Sequence, residues 1–176
     1  ILNHINTEGI NIMTLEEPVE YPMALIRQTS VNDAVKLDFA SGIRSMMRQD
    51  PDVILVGEVR DHDTAEMAFR AAMTGHQVYT TLHTNSAIGS IPRLSDLGVL
   101  PDIMSGNIIG VIAQRLVRKL CMFCREDYAP DNALRQVLGV GEAETPKLYR
   151  AVGCKKCEQQ GYKGRMAIME LLKIDE

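Results

Sequence analysis

The residues of this 176-residue chain whose types and spacing could do chemistry fall into two groups. One is a pair of Cys-x-x-Cys motifs, Cys121-Met-Phe-Cys124 and Cys154-Lys-Lys-Cys157, which contain all four cysteines. The other is a set of acidic and imidazole side chains that follow short apolar runs. Glu16 and Glu17 follow Asn11-Ile-Met-Thr-Leu15, Glu58 follows Val53-Ile-Leu-Val56, and His83 follows Val78-Tyr-Thr-Thr-Leu82. Two Cys pairs can present four thiolates to one tetrahedral ion, and Zn²⁺ suits four sulfurs. Four protein ligands leave no open position for water, so such a site is structural. The alternatives are four unligated thiols, or two disulfides in a secreted protein. The carboxylates and His83 suit phosphoryl transfer to water. Carboxylates at strand ends can hold Mg²⁺ through water and orient an attacking water, while His83 could sense or stabilise the γ-phosphate.

These groups matter only if the chain brings them together. The run 11–15 predicts a short strand that Pro18 cannot continue. Phe39, Ile43, Met46 and Met47 lie at one-face helical spacing, and Gln49-Asp50-Pro51 stops that helix. Val53 to Val56 is uninterruptedly apolar, as a strand covered on both faces requires. Ala65, Ala68, Phe69 and Ala72 predict a second helix, which Gly75 ends. Val78 to Leu82 predicts a third strand. The stretch from Ile103 to Leu120 reads as a further helix, with Ile108, Val111, Ile112 and Leu116 as its stripe and Arg115, Arg118 and Lys119 near its end. Strands alternating with helices imply an α/β fold with a parallel sheet, which binds ligands beyond its carboxyl strand ends. Glu16, Glu17, Glu58 and His83 are all expected on that rim. The 29 residues between the Cys pairs exceed a usual zinc-ribbon gap. They are expected to fold as a separate excursion, with Asp131 capping a short helix to about Leu138.

Charge divides the chain in the same way. Residues 1–111 carry 7 basic and 14 acidic side chains, whereas residues 112–165 carry 11 and 6. An acidic first module and a basic, Cys-bearing second one follow. With 45% apolar and 24% charged residues the chain is globular rather than disordered. Aromatic residues are only 5%, which argues against a base-stacking platform. The longest uncharged apolar-rich run, 103–114, is too short to span a bilayer. The chain lacks an initiator Met and shows no basic-then-apolar leader. It also contains no G-x-x-x-x-G-K-[ST] phosphate cradle.

Four blocks in order resemble the C-terminal part of the type II secretion and type IV pilus assembly ATPases of the secretion ATPase superfamily. MTLEEPVEY is similar to the family's Asp box, RQDPDVILVGEVRD to its Walker B block, and TGHQVYTTLHTN to its His box. VIAQRLVRKLC with the two CxxC pairs and GYKGRMAIMELL is similar to the tetracysteine region of assembly-type members. The resemblance implies a truncated RecA-like P-loop NTPase core over residues 1–120, a zinc-binding tetracysteine subdomain over 121–165, and a C-terminal segment, 166–176, packing back on the core. It casts Glu58 as the glutamate that activates water, and Glu16 and His83 as further catalytic groups. Glu17 (where the family usually has Asp), His76 and Arg60 fall on the nucleotide side, and Cys121, Cys124, Cys154 and Cys157 on zinc. ATP and Mg²⁺ are the implied cofactors of the parent protein, with structural Zn²⁺. The resemblance further implies a cytoplasmic homohexamer, peripheral on the inner membrane, with a platform protein and a membrane-recruiting protein as partners and no nucleic acid. Because the family's Walker A motif precedes the segment matching Ile1 to Asn6, a chain truncated inside its ATPase domain and inactive alone is expected. A zinc-ribbon nucleic-acid-binding module, or a scaffold that keeps the fold without the activity, is the alternative.

Overall fold

The computed structural model describes residues 1–141, 144 and 146–174, with Asp33 through its backbone alone. The last two residues of the expected C-terminal segment lie outside the described residues. After a short helix, α1 (Leu2–Ile5), four strands build one sheet. They are β1 (Ile12–Glu16), β2 (Ile26–Ser30), β3 (Val53–Val56) and β4 (Gln77–Thr80), in the order β2-β1-β3-β4 and all parallel. The two central strands are the most apolar ones, because only they are flanked by strands on both sides. β2 is polar apart from Ile26 and lies at an edge, where a charged residue such as Arg27 is tolerated. That polarity is why no strand is legible there from sequence.

Helix α2 (Phe39–Met46) links β2 to β3, and α3 (His62–Met73) links β3 to β4. Asp38 caps α2 by accepting from the Ser41 N–H at 2.7 Å, and Asp61 caps α3 by accepting from the Thr64 N–H at 2.8 Å. Both helices pack on the sheet face that carries Met13, Leu15, Ile54 and Val56. Phe39, Ile43 and Met46 from α2 and Ala65, Ala68 and Ala71 from α3 complete this core. Leu15, Ile43, Ile54 and Val56 have no exposed surface; burying each such side chain contributes about 1.5–3 kcal/mol. The small residues matter as well. A Cβ on Gly42 would lie 2.3 Å from Leu15 Cδ2, so α2 approaches β1 only because that position is glycine.

The chain continues through α4 (Ser90–Asp96) and α5 (Pro101–Met104). Pro92 lies in the first turn of α4. The helix starts two residues earlier, so the proline occupies a first-turn position whose missing N–H breaks no helical bond. The expected helix over 103–120 is a correction. Only α5 is helical, and β5 (Gly110–Leu120) is a strand paired with β8 (Tyr162–Lys173). Gly106 turns the backbone at φ +78°, and the β-branched Ile108, Ile109, Val111, Ile112 and Val117 favour extension. The apolar spacing there fits both periods, so periodicity alone could not decide. Arg115, Arg118 and Lys119 therefore sit on a strand and complement no helix dipole.

The contacts divide the chain into two compact units, Ile1–Ala113 with the chain from Glu170 onward, and Gln114–Met169. In the second, β6 (Glu126–Tyr128) pairs antiparallel with β7 (Leu148–Arg150), and between them α6 (Asn132–Leu138) starts on its Asp131 cap and ends at Gly139, φ +64°. This is the helix expected of the excursion. No helix among the described residues is long and apolar enough to cross a membrane.

Candidate functional site

Register positions the site. Leu15 lies opposite Val56, and Val56 opposite Thr80, so β1, β3 and β4 end level with one another. The residues just beyond are Glu16, the last of β1, and Glu17 after it, Gly57 and Glu58 after β3, and Thr81 to His83 after β4. Gly57 keeps the ends close. Its N–H donates to Leu15 O at 2.7 Å, its carbonyl accepts from Thr81 Oγ1 at 2.7 Å, and a Cβ there would meet Leu15 O at 3.1 Å and Glu16 Cα at 3.3 Å. The Val59 N–H donates to Thr81 O, tying the segments beyond β3 and β4 together.

On this rim Glu58 is the hub, with its side chain 17% exposed. Arg60 Nε donates to Glu58 Oε1, and Arg60 NH2 donates to Oε2 at 2.8 Å, a bidentate fork. His83 Nε2 lies 3.1 Å from Glu58 Oε1. The third arm of Arg60, NH1, reaches Glu17 Oε2 at 2.7 Å. Arg60 immediately precedes Asp61, so the cap of α3 fixes the backbone that carries the fork. The Arg60 hydrogen bonds, with lesser help from His83, hold the Glu58 carboxyl below its ordinary range against the opposing effect of burial. Glu16 stands on the same rim with its own supports. Its Oε1 accepts from Thr14 Oγ1 at 2.5 Å and from Gln28 Nε2 at 3.0 Å. Thr14 and Glu16 share a strand face, and Gln28 faces Thr14 across β1 and β2. Sequence reasoning missed Thr14 and Gln28. The T-x-E spacing signals the first, and nothing signals the second while β2 is unrecognised.

His76 is not brought to this rim. It precedes β4, at the opposite end of the sheet, where its Nδ1 lies 2.9 Å from Ala71 O and 3.1 Å from Thr74 Oγ1. A cleft of about 250 Å³ opens beside Arg60, with Glu17, Asp38, Phe39, Asp61 and Thr64 in its wall. A larger one, about 450 Å³, is lined by Asn11 and Asp52 at the amino ends of β1 and β3 and contains neither Glu58 nor His83.

The second unit gathers the cysteines. Their four Sγ atoms all lie within 4.8 Å of one another, with Cys121–Cys154 at 4.0 Å and Cys124–Cys157 and Cys154–Cys157 at 3.8 Å. These distances are far too long for disulfides. They suit a tetrahedral S₄ set, whose edge is about 3.8 Å for metal–sulfur bonds of about 2.3 Å. Backbone N–H groups point at the sulfurs: Gly153 to Cys124 Sγ at 3.4 Å, and Cys154 and Gly161 to Cys157 Sγ at 3.2 Å each. Burial chiefly, and the neighbouring thiols, push the Cys124 thiol up to about 12. At Cys157 burial works the same way, but the Cys154 and Gly161 N–H groups, together with the Cys124 and Cys154 thiols, outweigh it and bring the thiol down to about 7. Such N–H donors favour the thiolate, the form in which cysteine binds a metal.

Known proteins are similar to this chain over nearly its whole length. The family profile described as "Type II/IV secretion system protein" matches residues 1–176. The chain belongs to that family. A type II secretion system protein E of Pseudomonas aeruginosa is 51% identical over 99% of this chain, and the type IV pilus assembly ATPase PilB of Thermus thermophilus is 48% identical over all of it. The chain spans 35% of the first relative's length and 20% of the second's. A crystal structure of the pilus retraction motor PilT with bound ADP superposes with a TM-score of 0.67 at 31% identity, over 99% of this chain and 42% of that one. The family's α/β fold with a parallel sheet is thus the one seen here.

Proposed function

We propose that this chain supplies the water-activating part of an ATP-hydrolysing site in a motor that assembles pilin or pseudopilin fibres for type II secretion or type IV pilus extension. The observation that carries the reading is Glu58, at the carboxyl end of the buried strand β3 with Arg60 and His83 on its two oxygens. A carboxylate held below its ordinary range is ionised at neutral pH and can accept a hydrogen bond from water. It is also a weak base, so its task is to orient the attacking water. Orientation and electrostatics are what phosphoryl transfer chiefly asks of a protein. Glu16, fixed by Thr14 and Gln28, is placed to hold a second water on the Mg²⁺ side, and His83, largely exposed, is free to meet a phosphate. ATP and Mg²⁺ would supply the scissile phosphate and its charge neutralisation. In this reading the first unit is a RecA-like core, and His76, at the far end of β4, takes no part.

Cys121, Cys124, Cys154 and Cys157 would hold one structural Zn²⁺, which favours the assembly-type members of the family over the retraction type. The working form is a homohexamer, cytoplasmic and peripheral on the inner membrane, whose partners are a platform protein and a membrane-recruiting protein. Residues 1–176 exchanged for the matching third of the Pseudomonas aeruginosa relative test the reading. The chimera should turn over ATP, and Glu58→Gln in it should lower turnover by about a hundredfold or more. Equal turnover of the two chimeras would discard Glu58 as the water-orienting group.

A further inference from the structure

The Arg60 guanidinium is held on two sides. A guanidinium has five N–H donors in one rigid plane. The Nε and NH2 edge meets both oxygens of Glu58, while NH1 meets Glu17 Oε2 at 2.7 Å. Arg60 is 55% exposed, and a long exposed side chain with a single partner samples many rotamers. The fork with Glu58 sets the guanidinium plane, and the NH1 contact with Glu17 anchors its far side. The second anchor comes from another element: Glu17 follows β1, whereas Glu58 and Arg60 follow β3. The ion pair of Glu17 is with Arg60.

We propose that Glu17 is a positioning residue, which anchors the far side of the Arg60 guanidinium and so fixes the fork that sets the Glu58 carboxylate. The assignment deepens the hydrolase reading and rests on it for its purpose. It replaces the expectation that Glu17 serves the nucleotide directly. Glu17 thereby joins the ends of β1 and β3 into one charge chain, Glu17–Arg60–Glu58–His83, in which it acts on the last two members through the second.

The sign of one measurement separates this role from simple proximity. The charged groups facing Glu58 are Arg60 on its own segment, His83 beyond β4, and Glu17 across Arg60. If Glu17 acted as a nearby like charge, removing it would make Glu58 ionise more easily. If it acts through Arg60, removing it loosens the fork and makes Glu58 ionise less easily. The test is a ¹³C NMR titration of the Glu58 carboxyl in this chain and in its Glu17→Gln, Arg60→Gln and doubly substituted forms. Glu17→Gln is nearly isosteric and removes one charge at a half-exposed site, so it leaves the core untouched. The expected result is an upward shift of the Glu58 midpoint in Glu17→Gln, and no upward shift from the same change in the Arg60→Gln background. A downward or absent shift in the first case, or an equal upward shift in both backgrounds, would overturn the assignment. The titration needs no nucleotide. Its failure removes the role of Glu17 and leaves hydrolysis standing, whereas turnover that survives Glu58→Gln removes the hydrolase reading and leaves the contact chain.

Discussion

Removing metal should unfold one unit and spare the other. Among its described residues the span Gln114–Met169 buries no Ile, Leu, Val, Met, Phe or Tyr; its buried side chains are those of Cys121, Pro130 and Cys157. The first unit, by contrast, has Leu15, Ile43, Ile54 and Val56 wholly enclosed. A structural Zn²⁺ contributes on the order of 10–16 kcal/mol of folding free energy at neutral pH, about the entire net stability of an ordinary domain. Three cation–π contacts are also present, Arg118 on Tyr162, Arg125 on Tyr149 and Lys156 on Phe123. At about 0.5–1 kcal/mol each on an exposed surface they cannot replace that contribution. The assay is zinc content by mass spectrometry, followed by chelation under reducing conditions and a two-dimensional NMR spectrum. One zinc per chain is expected. After chelation the resonances of 121–161 should collapse to unfolded positions while those of the β1–β4 sheet persist. Cys154→Ser should act in the same direction. Binding should also weaken as pH falls, because a thiol such as Cys124, pushed up to about 12, must release its proton to the solution to become a ligand. A metal-free chain with four reactive thiols and an unchanged second unit would refute this reasoning.

Three further outcomes follow from the first unit. Leu15→Ala should destabilise it by about 2–5 kcal/mol in denaturant unfolding, since Leu15 is fully enclosed between the sheet and α2 and the cavity cannot readily close. Asp61→Ala removes the α3 cap and should cost about 0.5–2 kcal/mol, while raising the mobility of the adjoining Arg60 side chain in NMR relaxation. The folded-state carboxyl of Glu58 lies below its ordinary value of 4.5. Its stabilisation is therefore present above that value and lost as pH falls through the folded one. Glu58→Gln should accordingly unfold more easily than the parent at neutral pH, with the difference vanishing in acid, as read by unfolding midpoints across pH.

What could be read from sequence followed the strength of the local signal. β1, β3, α2 and α3 are legible because buried parallel strands are apolar runs and capped helices carry Asp at their starts; Asp38, Asp61 and Asp131 all do. The rim follows from the ends of β1, β3 and β4, so the level of Glu16, Glu17, Glu58 and His83 is legible in the sequence. β2 escaped because an edge strand can be polar, and with it went Gln28. β5 is not legible because Ile108, Val111, Ile112 and Leu116 satisfy a helical period by coincidence, whereas the turn at Gly106 and the β-branched residues after it favour a strand. The direction of the Arg60 fork was not legible at all. It depends on a side chain from a neighbouring strand end, and such contacts are set by register rather than by spacing along the chain.

The two cysteine knuckles are each local turns, and the polypeptide between them leaves and returns through the three rungs that pair Glu126 with Arg150, Asp127 with Tyr149 and Tyr128 with Leu148. Beyond that stem, α6 buries none of its residues. A fluorophore or an affinity tag spliced at Gly139 would therefore sit beyond the β6–β7 stem and leave the four sulfurs in place.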